Sequence, residues 1–191
     1  RVAEILSQID NQHMMWGAIV PLHTDRLSQT RELIEAAIQF AVYVSMRFKH
    51  ELACWRPADY SQMVQPMITT PGHGSLPGGH AVQCYVVAHV LKVLLNSLPD
   101  SGPHDMRYRS FNRQLERLAA RMATNRVIAG LHFPVDNVAG RLLGQILGEY
   151  FVGRCVQNTV LHTCTFNGSQ YPEDEDFQPE QQPLNNGTYS T

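Results

Sequence analysis

The chain has no window of about 18 uncharged apolar residues, the minimum for a membrane-spanning helix. Its most apolar run, residues 81–98, carries His89 and Lys92 and is expected to be a buried core helix. A phosphate-binding P-loop, a dinucleotide fingerprint and a zinc motif are also missing, which sets aside the nucleotide and zinc chemistries that those motifs carry. The four cysteines, Cys54, Cys84, Cys155 and Cys164, show neither CxxC pairing nor metal-like spacing. Reduced thiols are expected, with a disulfide left open. Strand-like alternation is nowhere long enough to use. The opening segment RVAEILSQID is acidic and amphipathic, not a signal peptide. It begins at Arg1, as a processed or trimmed chain would.

Basic residues are lacking at one end. Residues 155–191 hold none against five acidic side chains, a net of −5, whereas residues 1–154 hold 15 basic and 12 acidic, a net of +3. Beyond residue 165 the sequence is polar, acidic and Pro-containing, with too little apolar surface to offset ordering entropy. We therefore read residues 1–165 as one helical domain and 166–191 as a flexible or partner-draped tail. Sequons at Asn167 and Asn186 matter only in a secreted eukaryotic protein. With 43% hydrophobic and 17% charged residues among 191, the chain is expected to be a soluble globular protein with a substantial core. The compartment, cytoplasmic or secreted, stays open.

What is present is helical period. Val2, Ile5, Leu6 and Ile9 form a short stripe, and a stronger one runs from Leu33 through Ile38, Val42 and Phe48. Ala81–Leu98 makes a third helix, stopped by the breaker cluster at 99–103. Phe111, Leu115, Leu118, Ala119 and Met122 mark a fourth, starting near Ser110. Val138 to Phe151 mark a fifth, capped by Asp136 or Asn137. Five helices without strands predict an all-α helical bundle. Arg113, Arg117 and Arg121 recur every four residues, without interleaved aromatics, and read as a solvated face; no nucleic-acid partner is expected. The apolar stretch at 11–26 is expected to pack on the bundle or on a second copy of the chain.

Three segments concentrate residues that handle oxyanions: KHELACWRP (49–57), SLPGGHA (75–81) and NRVIAGLHFPVDNVAG (125–140). Lys49, Arg56 and Arg126 are cations suited to an anion carrying two or three charges. Gly78 and Gly79 allow close backbone approach just where a helix begins, and a helix start favours an anion. Asp136, four residues after His132, can accept the proton on one imidazole nitrogen and leave the other as nucleophile or metal ligand. His80 would be the acid–base.

In order and spacing these segments resemble the signature of the type 2 phosphatidic acid phosphatase and vanadium haloperoxidase superfamily. That signature is Lys-x6-Arg-Pro, Pro-Ser-Gly-His and Ser-Arg-x5-His-x3-Asp. Here it reads Lys49-x6-Arg56-Pro57, Pro77-Gly78-Gly79-His80 and Asn125-Arg126-x5-His132-x3-Asp136. Two positions depart from it, because Gly78 and Asn125 stand where the family has serine. The resemblance implies an all-helical bundle and one pocket serving two chemistries. In a phosphatase, His132 would attack phosphorus and His80 would protonate the leaving group. In a haloperoxidase, His132 would hold vanadate, which hydrogen peroxide and a halide then use to oxidise an organic acceptor. His73 lies five residues before Gly78, where bromoperoxidases of the superfamily carry histidine. On that residue the sequence leans to a bromoperoxidase-like vanadium enzyme. Its alternatives are an acid phosphatase and a weakened anion-binding relative.

Overall fold

The computed structural model describes residues 1–9, 12–23, 25–97, 105–159 and 161–171. Among them the helices run α1 (Val2–Ser7), α2 (Gln12–Trp16), α3 (Ser28–Leu52), α4 (Pro57–Tyr60), α5 (Gly79–Asn96), α6 (Asp105–Ile128) and α7 (Pro134–Cys155), with a 3-10 turn at Gly168–Gln170. No strand occurs among the described residues beyond one isolated bridge position. The all-helical expectation holds. No described helix is long and apolar enough to cross a membrane.

The axis of the bundle is α5. Ala81, Val82, Cys84 to Ala88, Val90 and Leu91 are all buried, because α3, α6 and α7 each pack against it. A helix apolar around most of its circumference is stable only when covered in this way. From α3 come Ile34, Ala37, Ile38 and Ala41, and from α6 come Leu115, Ala119, Met122 and Ala123. α7 approaches through glycines spaced one helical turn apart. A Cβ on Gly140 would lie 2.6 Å from that of Ala81, one on Gly144 2.6 Å from the Val82 carbonyl oxygen, and one on Gly148 2.7 Å from the His89 Cβ. The two backbones are therefore in close contact, which brings the amino-terminal ends of α5 and α7 side by side.

Several boundaries differ from the sequence expectation. α6 begins at Asp105 rather than near Ser110, and it runs on past Met122, the last residue of the sequence stripe, through Asn125 and Arg126. α7 starts at Pro134, so Asp136 is not the capping residue but sits one turn inside, accepting from the Phe133 N–H at 2.9 Å. α2 and α4 are too short to show a period. Phe166 and Tyr171, counted with the tail above, stack with ring centres 5.6 Å apart and pack against the core. Residues 172–191, the 99–103 breaker and the Asn186 sequon lie outside the described residues. All four cysteines are free.

Candidate active site

The buried stripe of α3 continues from Ala41 through Ser45 to Lys49, so a charge occupies the next core position. Lys49 is 2% exposed and lies in the last helical turn, where the carbonyl end of the helix favours a cation. Lys49 Nζ donates to the carbonyls of Gly74 at 3.0 Å and Ser75 at 2.7 Å, using two of its three N–H bonds. Ala53, left-handed at φ 46°, ends the helix with its N–H on the Lys49 carbonyl. Arg56 follows at the start of α4, also buried. Its Nε donates to the His73 carbonyl at 3.0 Å and its Nη1 to the Leu131 carbonyl at 2.8 Å.

Arg126 repeats the logic on α6. It sits one step beyond Met122 on the buried stripe, in the last turn, and is 2% exposed. Its Nη2 donates to the Ile5 carbonyl and to Gln8 Oε1, both at 2.8 Å, while its Nε is buried without a protein partner. Among the described residues no carboxylate lies within ion-pair distance of any of these three cationic heads. Burial, with help from Arg56, pulls Lys49 down to about 8. Burial also lowers both arginines, which stay charged.

Asp136 is the buried carboxylate nearby. Its Oδ2 accepts from Ser75 Oγ at 2.5 Å, from His132 Nδ1 at 3.0 Å and from the Phe133 N–H. Burial raises the acid, but the donors, His132 foremost, outweigh it and hold Asp136 below the ordinary range. The His132 proton therefore belongs on Nδ1, and Nε2 keeps its lone pair. Burial lowers His132 against the opposing pull of Asp136, so the ring is neutral at pH 7.

At the head of α5 the two glycines differ. Gly79 and His80 line the cavity, and a Cβ on Gly79 would make only ordinary contact with Lys49 Cε, at 3.5 Å. Gly78 is not among the lining residues. Its N–H donates to the Asp136 carbonyl at 2.8 Å, and a Cβ there would come within 2.9 Å of Asn137 Oδ1. The missing serine is thus tied to tight packing against α7. Burial, then the charge of Arg126, brings His80 down to about 3.

One cavity of about 270 Å³ gathers these groups: Lys49, Arg56, His73, Gly79, His80, Arg126 and His132, with Asp136 behind His132. His73 Nδ1 lies 3.3 Å from Arg56 Nη2 and 3.2 Å from the Gly74 carbonyl, so it lines the wall while engaged with its neighbours. A second cavity, of about 310 Å³, shares Lys49, Arg56, Pro71 and His73 and is bounded by the exposed Trp55. Sequence reasoning did not single out Ser75, Gly74 or Gln8. Ser75 lies inside a quoted motif stretch, but nothing in its spacing distinguishes it. Gln8 reaches the site only through tertiary packing.

No family model and no curated protein matches this chain. Among solved structures it is similar to a transmembrane PAP2 type phosphatidylglycerolphosphate phosphatase from Bacillus subtilis, with a TM-score of 0.60 at 19% identity, over 82% of this chain and 75% of that one. The fold is of the PAP2 type. At this identity the likeness establishes the PAP2-type fold alone, and it lends nothing to the haloperoxidase branch.

Proposed function

We propose that the chain is a phosphoric monoester hydrolase that works through a phosphohistidine at His132, with the phosphatase alternative replacing the haloperoxidase reading. The supporting observation is the set of three buried cations that meet only carbonyl and carboxamide oxygens and, at Arg56, the His73 ring, beside His132, which lines the same cavity and whose Nδ1 is taken up by Asp136. Each buried cation costs several kcal/mol unless an anion offsets it. A phosphate dianion supplies that offset.

In the first step His132 Nε2 attacks phosphorus, a P–N bond forms, and the P–O bond to the alcohol breaks. His80 gives its proton to the departing alkoxide. Lys49, Arg56, Arg126 and the N–H groups at the start of α5 balance charge on the equatorial oxygens. Asp136, fixed by Ser75, stabilises the positive charge that develops on His132. In the second step water attacks phosphorus, His80 takes its proton, and His132 leaves as a neutral ring. Burial and the charge of Arg126 hold His80 neutral, so a bound dianion must raise its pKa, and binding takes up a proton.

Vanadate matches phosphate in shape and charge and would be held by the same cations and His132. In this reading it is an inhibitor. Hydrolysis of p-nitrophenyl phosphate, inhibited by vanadate, is the expected result. Bromination of a phenolic dye by the vanadate-loaded protein with peroxide and bromide, without phosphatase activity, would overturn it.

A further inference from the structure

α1 has no task in the mechanism above, yet two groups of the site take their partners from it. Arg126 Nη2 has both hydrogens on α1 and its cap, one on the Ile5 carbonyl and one on Gln8 Oε1. His80 Nε2 lies 3.3 Å from the Gln8 backbone carbonyl. Gln8 is fully buried, and its Nε2 has no protein partner. We propose that Gln8 is a positioning residue of this site, its carboxamide fixing the plane of Arg126 and its backbone carbonyl fixing the proton-bearing nitrogen of His80.

The chemistry follows from donor and acceptor counts. A carbonyl only accepts, so Nε2 of His80 carries the proton and Nδ1 keeps the lone pair. Nδ1 is then the nitrogen that gains and gives the catalytic proton, a step that rests on the phosphatase reading. With Nη2 committed to α1, the buried Nε of Arg126 is a donor left for an anion. A neutral carboxamide does this without cancelling the guanidinium charge, whereas a carboxylate at the same place would pair with Arg126. The groups acting on His80 are Arg126 from α6, Lys49 from α3, His132 ahead of α7 and the Gln8 carbonyl after α1.

α1 is itself fastened to α6. The Glu4 carboxylate receives Arg121 Nε and Nη2, both at 2.7 Å, and Asn125 Nδ2 at 2.9 Å. Arg1 Nη1 donates to Asn125 Oδ1 at 2.6 Å. Asn125, which departs from the serine of the motif, is thereby the residue that ties the α1 strap beside Arg126. Ile5 anchors the same helix against Ala129 and Leu131.

The test compares the wild-type chain with Gln8→Glu, Gln8→Met and Glu4→Gln. Orthophosphate affinity is measured by calorimetry, and the His80 tautomer and titration by nitrogen NMR. Activity on p-nitrophenyl phosphate is followed against pH. In the wild type the Nε2–H tautomer is expected. Gln8→Glu should weaken orthophosphate binding by about tenfold or more and raise the His80 pKa by about one unit. Gln8→Met should weaken binding severalfold, and Glu4→Gln should move both readouts the same way by less. Folded variants with wild-type phosphate affinity and wild-type His80 titration would overturn the proposal, whatever their activity. If His80 shifts as expected but no phosphatase activity exists even in the wild type, Gln8 keeps its role and the functional reading falls.

Discussion

The candidate site is bounded by two seams of opposite character. Between α5 and α7 backbone meets backbone at Gly140 and Gly144, and Gly148 meets the His89 side chain, with no room for a methyl group at any of the three. Between α1 and α6 it is polar, built from Glu4, Arg121, Asn125, Gln8 and Arg126. The close-packed seam carries the proposed nucleophile, His132 with Asp136, alongside the start of α5. The polar seam supplies partners to Arg126 and to His80, the proposed acid. Covalent chemistry at phosphorus requires a nucleophile fixed to a fraction of an ångström, which packing supplies. Charge and proton handling depend on hydrogen-bond partners, which a short latched helix can provide.

Substitutions on the two seams should therefore fail differently. The largest effect belongs to the nucleophile: His132→Ala should lower kcat by more than about a thousandfold in a steady-state assay. Asp136→Asn, which removes the carboxylate that sets the His132 tautomer, should cost about a hundredfold or more with a near-native circular dichroism spectrum. On the packed seam, Gly144→Ala should destabilise the fold by about 1–3 kcal/mol in a denaturant titration, because backbone on both sides has to part. On the latched seam, Glu4→Ala should cost no more than about 1 kcal/mol, Arg121 being largely exposed, yet weaken phosphate binding. Equal stability losses at Gly144 and Glu4 would erase the distinction drawn here.

Acidity gives the smaller effects. His80, His132 and His73 all titrate below 6.5 in the folded chain, so the unfolded chain binds more protons once the pH falls below that value. Stability must then decline as the pH drops from about 6.5, and thermal melts between pH 7 and 5 will show it. Lys49, brought down to about 8, must be protonated to hold an anion. kcat/KM should fall about tenfold per pH unit above that point, and the fall should vanish from kcat/KM if Lys49 is not a ligand.

Much of this was legible in the sequence, and the reasons differ by residue. Lys49 and Arg126 each continue an apolar stripe at helical spacing, so a charge stands at a core position. His132 and Asp136 are one turn apart, a spacing that brings them together at a helix start. The glycines at 140, 144 and 148 repeat every four residues and could have signalled the α5–α7 contact, but no packing meaning was assigned to them. Gly78 departs from the serine of the motif, and its neighbours make it a fit to Asn137 and the Asp136 carbonyl. His73 was asked to decide between two chemistries, yet its ring nitrogen meets Arg56 and Gly74, contacts that serve either one. Gln8 was beyond reach, since its partners lie 72 and 118 residues away and no local pattern announces them.

The most direct test of the central claim is to trap the intermediate. The protein would be mixed with a radiolabelled phosphomonoester, quenched in alkali within one turnover, and mapped by peptide. We expect label on the peptide containing His132, stable to alkali and lost in acid, and absent from His132→Ala. Turnover without any such label, or label on another residue, would contradict the account.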